Sequence, residues 1–217
     1  MRTLCIDVGG TGIKGTVYDQ EGNAQNERVR IETPRPATPE AVVATIVVIA
    51  AQSGAFERLS CGFPGVVREG VVQTAPNLDG DWAGFDLAAH LAHQIKLPVR
   101  VANDADVQGL AVIDGSGVEL VLTLGTGMGS GLYVDGRCAW NLELGHHPMG
   151  KGGTYEERVS DAERKRIGGK KWRKRVHEVV DLVLPIFNPK KLYLGGGNAS
   201  RLDPSDFPRN VVLIDNK

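Results

Sequence analysis

The run Asp7-Val8-Gly9-Gly10-Thr11-Gly12-Ile13-Lys14 sets an acid, three glycines, a hydroxyl and an amine side by side. Glycines carry no Cβ, so the backbone N–H groups of such a turn can converge on an anion. Gly9 and Gly10 would present those groups, Thr11 adds a hydroxyl donor and Lys14 a mobile positive charge. Asp7 can hold Mg²⁺ through water, as hard cations prefer oxygen ligands. A plain hairpin turn that needs glycine is the competing reading. A second glycine-rich run, Leu124-Gly125-Thr126-Gly127-Met128-Gly129-Ser130-Gly131, is weak alone, because alternating glycines also serve tight strand turns. Asn103-Asp104-Ala105 places a carboxylate beside an amide; the acid can take a proton from a hydroxyl that the amide orients, or simply cap a helix. Phosphoryl transfer asks for little beyond positioning, charge neutralisation and such a base.

Two further stretches carry charge. Glu143-Leu144-Gly145-His146-His147 brings an acid and an imidazole toward one ligand. A metal reading needs more ligands at suitable spacing, and the neighbouring sequence supplies none, so no structural zinc site is expected; hydrogen bonding to hydroxyls suits Glu143 and His146 equally well. The segment from Arg164 to Arg175 also holds Lys165, Arg166, Lys170, Lys171, Arg173 and Lys174. A solvated helix face is the ordinary explanation, a track for a long polyanion the sharper one, and Trp172 is expected to pack beneath the helix.

These residues need elements to hold them. Strand patterns at Thr3 to Ile6, Gly15 to Tyr18 and Val29 to Ile31, joined by short turns, predict an antiparallel meander. Thr38 caps a helix that opens on Pro39 and runs to about Ser53. A short strand ending at Gly62, a hairpin near Arg68-Glu69-Gly70 and a helix from Asp86 to Lys96 come next. The buried strand Val99 to Ala102 then delivers Asn103 and Asp104 at its carboxyl end, where α/β sheets gather ligands. From Glu119 the pattern of strand, glycine-rich turn, strand, turn, strand begins again, with Asp135-Gly136 as a hairpin signal. This coarse duplication puts Gly125, Thr126 and Gly127 at the place that Gly9 to Thr11 hold in the first half. A charged helical region from Tyr155 to Phe187 leads to a strand at Lys191 to Leu194 and to Gly195-Gly196-Gly197. The loop Asp114 to Gly117 is the expected boundary between domains 1–115 and 116–217.

Composition narrows the classes. A formal net charge of -1 gives no overall field for nucleic acid or an anionic membrane. The apolar run Ala41 to Ala51 is too short to span a bilayer and reads as a core helix. The N-terminus meets Asp7 and two glycines at once, leaving no hydrophobic region for a signal peptide. Cys5, Cys61 and Cys138, odd in number and far apart, suit a reducing cytoplasm.

Taken together, these motifs resemble the ROK family of sugar kinases and repressors. The resemblance runs in order through Asp7 to Lys14, Gly62-Phe63-Pro64-Gly65, Asn103-Asp104-Ala105, Gly125 to Gly129, Glu143-Leu144-Gly145-His146 and Gly195-Gly196-Gly197. It implies an α/β, actin-like ATPase fold of two RNase H-like domains with a central cleft. It further implies Asp104 as general base; Gly65, Asn77, Asn103, Glu143, His146 and Glu156 as sugar ligands; and Thr11, Lys14, Thr126 and Gly127 facing the donor phosphates. Gly195, Gly196 and Gly197 would lie beside a nucleotide. Where many members carry a Cys-rich zinc motif, Met149-Gly150-Lys151-Gly152-Gly153-Thr154 stands here, which resembles the polyphosphate glucokinase branch. The expected reaction transfers phosphate from ATP or inorganic polyphosphate, with Mg²⁺, to the 6-hydroxyl of glucose or a related hexose. A homodimer is the expected assembly. A repressor needs a helix-turn-helix, for which the first strand at Thr3 leaves no room. A sugar sensor without turnover is the alternative; Asp104 argues against it. In its favour, the chain ends at Lys217, just after a strand pattern at Val211 to Ile214, where relatives continue with a helix packed on the core.

Overall fold

A computed structural model describes residues 1–150 and 152–214. Lys151, in the stretch Met149 to Thr154, and the terminal residues 215–217 lie outside it. The chain divides into two compact units, Met1–Val107 and Gln108–Lys217. The loop at Asp114 to Gly117 falls in the second.

The first unit is a five-stranded sheet built from β1 (Thr3–Val8), β2 (Ile13–Tyr18), β3 (Val29–Ile31), β4 (Arg58–Phe63) and β7 (Val99–Asn103), in the order β3-β2-β1-β4-β7. The first three form the expected antiparallel meander, and β4 and β7 continue parallel to β1. Strands β5 (Val67–Arg68) and β6 (Val71–Val72) make the small hairpin. Its turn residues Glu69 and Gly70 both take positive φ, 51° and 87°, which favours glycine at the second position. Helix α1 (Pro39–Gln52) opens as its sequence dictates: the Thr38 side chain accepts from the N–H of Ala41, with Pro39 at the first position. It buries Val42, Val43, Ile46, Ile49 and Ala50, one face at helical spacing, against the sheet. Helix α2 (Leu87–Ile95) is capped by Asp86 and ends on Lys96 in the left-handed region. The short α3 (Asp104–Gly109) continues directly from β7.

The second unit repeats the plan. Strands β8 (Val118–Leu124), β9 (Met128–Val134), β10 (Arg137–Ala139), β11 (Lys191–Gly195) and β12 (Val211–Leu213) lie in the order β10-β9-β8-β11-β12. Again the first three are an antiparallel meander and the last two run parallel to the first. The duplication legible in the sequence is therefore a duplication of strand order, as paired RNase H-like domains require.

The charged helical region is not one helix. It divides into α4 (Tyr155–Val159), α5 (Asp161–Ile167) and α6 (Gly169–Phe187). Ser160 ends α4 and caps α5, its side chain accepting from the N–H of Glu163. Gly168, at φ 82°, separates α5 from α6. Trp172 is fully buried under α6 with Val176, Val179, Val180 and Val183, against Leu120, Leu122, Leu192 and Leu194 of the sheet. Its indole N–H donates to the carbonyl of Val159 at 2.8 Å. Replacing a side chain buried like this by alanine costs about 3–5 kcal/mol.

Among the described residues, no helix is long and apolar enough to cross a membrane. Burial pushes the thiols of Cys5 and Cys61 up, and a Coulombic effect of Asp7 adds to the shift at Cys61.

Candidate active site

Three neighbouring parallel strands of the first sheet end in candidate residues. Register pairs Asp7 of β1 with Gly62 of β4, and Gly62 with Ala102 of β7. Adjacent strands lie about 4.8 Å apart, so Asp7 and the Asn103-Asp104 pair stand at one level, roughly 10 Å from each other. The three strand ends thus lead into the glycine turn at Gly9, the Phe63-Pro64-Gly65 turn and α3.

The turn between β1 and β2 is closed by the N–H of Gly9 donating to the carbonyl of Gly12 at 3.1 Å. Its carbonyls are then engaged from outside. The Thr33 hydroxyl donates to Gly9 O at 2.5 Å, the Arg35 guanidinium to Gly10 O at 2.8 Å, and Arg30 to Thr11 O at 3.4 Å. A side chain on Gly12 would stand 2.9 Å from the Arg30 guanidinium, so glycine is needed for that approach. Lys14 pairs with the half-buried Asp7 at 3.1 Å. Three cations, Lys14, Arg30 and Arg35, thus border one turn, with Asp7 facing Lys14 and Asp79 facing Arg35 at 3.5 Å. The motif points to Lys14 but not to Arg30, Arg35 or Thr33; the register Lys14↔Arg30 across β2 and β3 is the signal that could have found the first of these.

Asn103 is buried, and its partners are protein groups. Its amide donates to the carbonyl of Gly65 at 3.1 Å, while its side-chain oxygen accepts from the N–H groups of Ala105 and Asp106 at 2.9 and 3.1 Å. One side chain thus starts α3 and fixes the Pro64-Gly65 turn. Gly65 lies so close to the carbonyl of Thr74 that any side chain there would overlap it, and this packs the turn against the segment leading to the exposed Asn77. Asp104 is half-buried, with Oδ1 accepting from the N–H of Ala105 at 2.8 Å. Helix start and carboxylate placement are thus compatible, as the sequence suggests.

In the second unit the turn at Gly125 has a different surround. The N–H of Gly125 donates to Gly127 O at 3.0 Å. Glu156, on α4, accepts from the N–H of Met128 at 3.0 Å and covers Gly127 so closely that a side chain there would overlap its carboxylate. Thr126 at the tip is exposed. The carbonyl of Gly125 accepts from the N–H of Asp161 at 2.9 Å and from the Asn198 amide at 3.4 Å. Gly196, at φ 85°, abuts the backbone of Leu124 and admits no side chain, so the Gly195 to Gly197 turn packs onto the Gly125 turn. Asn198, next after the three glycines, carries no signal of this role in its local sequence. A single-turn 3₁₀ helix, Leu144–His146, puts Gly145 against the carbonyl of Met128, and Ser130 ties it down by donating to Leu142 O and accepting from Leu144 N–H. His146 Nδ1 lies 3.6 Å from a carboxylate oxygen of Glu143. Second-unit candidates Gly125, Gly127, Glu156 and Gly196 are thus brought into one cluster, with Gly145 packed beside them. Among the described residues, no three His, Cys, Asp or Glu side chains are grouped to hold a metal ion.

The profile of the ROK family matches residues 3–160. The polyphosphate glucokinase of Mycobacterium tuberculosis (strain CDC 1551 / Oshkosh) is 36% identical over 98% of this chain and 82% of its own length. That of Mycobacterium leprae is 33% identical over 100% of this chain and 68% of its own. Among solved structures, the inorganic polyphosphate/ATP-glucomannokinase from Arthrobacter sp. strain KM matches with a TM-score of 0.87 at 33% identity, over 99% of this chain and 91% of that one. A ROK family glucokinase from Streptomyces griseus, in complex with glucose and AMPPNP, shares the fold at a TM-score of 0.79 and 20% identity, over 99% of this chain and 94% of its own.

Proposed function

Because this chain belongs to the ROK family, has its actin-like ATPase fold and is a sugar kinase, we propose that it phosphorylates the 6-hydroxyl of glucose or a related hexose, using ATP or inorganic polyphosphate. The observation that carries this reading is the half-buried Asp104 at the end of β7, beside the turn that Asn103 and Gly65 share and level with the cationic glycine turn of β1. Carboxyl ends of parallel strands are where such sheets bind ligands.

In this reading Asp104 accepts the proton of the sugar hydroxyl. The hydroxyl oxygen bonds to the terminal phosphorus of the donor, and the bond from that phosphorus to its bridging oxygen breaks. ADP, or a polyphosphate one unit shorter, leaves with the released electron pair. Gly65, Asn77, Asn103, Glu143, His146 and Glu156 hold the sugar, and Asn103 also fixes the Gly65 turn. Gly9, Gly10, Thr11 and Lys14, with Gly125, Thr126 and Gly127, take the donor phosphates. Gly195, Gly196 and Gly197 take the nucleotide when ATP is the donor. The Asp7 carboxylate, half-buried at a strand end, fits a hard cation held through water; Mg²⁺ there would offset phosphate charge. The enzyme would work in the cytoplasm as a homodimer.

The test is glucose 6-phosphate formation with Mg²⁺, comparing ATP with polyphosphate, alongside Asp104→Asn. Loss of turnover with saturable glucose binding retained supports the assignment of the base. Near-normal turnover in that variant removes it.

A further inference from the structure

The cations between Arg164 and Arg175 divide into two groups. Arg164 and Lys165 both pair with Asp161, each at 2.7 Å, while Arg166 and Arg175 both pair with Glu163. These contacts hold the carboxyls of Asp161 and Glu163 down at about 2, through Lys165 and then Arg164 at Asp161, and through Arg166 and then Arg175 at Glu163. Lys170, Lys171, Arg173 and Lys174 are different. All four are exposed, and among the described residues none pairs with a carboxylate. A solvated helix face usually mixes signs. The paired group does so, and these four do not.

Their place in the second unit is fixed by topology. Helix α6 leads through Asn188 to Lys190 into β11 and packs along the sheet, so its start lies at the edge where β8 and β11 end. That edge carries the Gly125 and Gly195 turns. The N–H of Asp161 pins the start of α5 to the carbonyl of Gly125, and α5 covers about 10 Å before Gly168 hands over to α6. Lys170 and Lys174 are one turn apart, about 6 Å along the axis, with Lys171 and Arg173 on either side. A linear polyanion leaving the Gly125 turn would meet them in succession. ATP carries an adenosine where polyphosphate carries more phosphates, so cations beyond the reacting end favour polyphosphate alone.

We propose that Lys170, Lys171, Arg173 and Lys174 form a subsite for the distal phosphates of an inorganic polyphosphate chain whose reacting end lies at the Gly125 turn. The inference rests on the reading that polyphosphate is a donor, and it predicts that longer chains bind better.

The test replaces all four by Gln in the full-length enzyme and measures KM for ATP, tripolyphosphate and long-chain polyphosphate. It also measures direct binding of long-chain polyphosphate without sugar. For the long chain KM rises several-fold, up to about tenfold, as four exposed charge contacts are lost together. KM for ATP and tripolyphosphate stays within about twofold, well inside the tenfold that 1.4 kcal/mol represents. The slope of log affinity against log salt shallows by roughly 3, at about 0.7 for each phosphate that the protein no longer neutralises. Returning charge with Lys at all four positions restores the long-chain KM. Equal long-chain binding in wild type and variant overturns the subsite while leaving polyphosphate as donor. An equal rise for ATP overturns it too, since the cations would then act on any donor. A wild type that neither binds nor uses polyphosphate, yet turns over with ATP, removes the donor reading and the subsite with it.

Discussion

The two glycine-rich turns stand at the same station in two sheets of the same strand order, yet the first is faced by cations, two of them met by Asp7 and Asp79, and the second by a carboxylate. Around Gly9 to Gly12 are Lys14, Arg30 and Arg35, with the two guanidiniums holding the turn's carbonyls. Against Gly125 to Gly127 lie a carboxylate, Glu156, and the uncharged Asn198. Duplicated topology decides where a turn sits; the side chains that arrive from elsewhere in the unit decide what it can hold. The first turn is suited to concentrating negative charge. In the second, a carboxylate is fixed against the turn by the N–H of Met128.

The largest expected effect tests the strand end level with the first turn. Asp104→Asn should lower kcat by about 10²–10⁴, the usual worth of a general base, with glucose affinity measured by calorimetry nearly unchanged. A smaller effect separates the turns directly. Gly127→Ala must displace Glu156, whereas a side chain on Gly10 meets nothing within 4 Å. Moving that carboxylate gives up its bond from the N–H of Met128, worth about 1.5 kcal/mol, so thermal denaturation should show Gly127→Ala destabilised and Gly10→Ala near wild type. Equal stability of the two variants would mean that the second turn is no more tightly packed than the first. Smaller again, Arg35→Met removes the bond to Gly10 O. It should cost about 1 kcal/mol in donor affinity, seen as a several-fold rise in donor KM at unchanged glucose KM.

Much of this is legible in the residues. The alternation at Thr3 to Ile6 and at Glu119 to Leu124, each with glycines after it, fixes both meanders, and Pro98 with Val99 to Ala102 fixes the strand that delivers Asp104. The features that escape depend on partners distant in sequence. Nothing near Asn103 shows that its amide reaches Gly65, nor anything near Gly10 that Arg35 reaches it. The break at Ser160 is readable, however: Ser160-Asp161-Ala162-Glu163 has the form of a helix start, and the charged run around it masks the signal.

The smallest expected effect concerns that same region. Asp161 and Glu163 titrate near 2 in the folded protein against ordinary values of 3.8 and 4.5. The unfolded chain therefore binds more protons than the folded one as pH falls. Their contribution to stability is complete above about pH 5 and is lost progressively toward pH 2. Asp161→Asn combined with Glu163→Gln should flatten the acid limb of a pH–stability curve without altering its neutral plateau greatly, because the pairs are near the surface.

Ser160 is one residue that serves two helices: its N–H closes α4 on Glu156 O, while its side chain opens α5 at Glu163. The two sides of the joint are tied together, by the N–H of Asp161 on the carbonyl of Gly125 and by the Trp172 indole on the carbonyl of Val159. A change in the angle at Ser160 would therefore be felt at once by the glycine turn before it and by the cationic start of α6 after it.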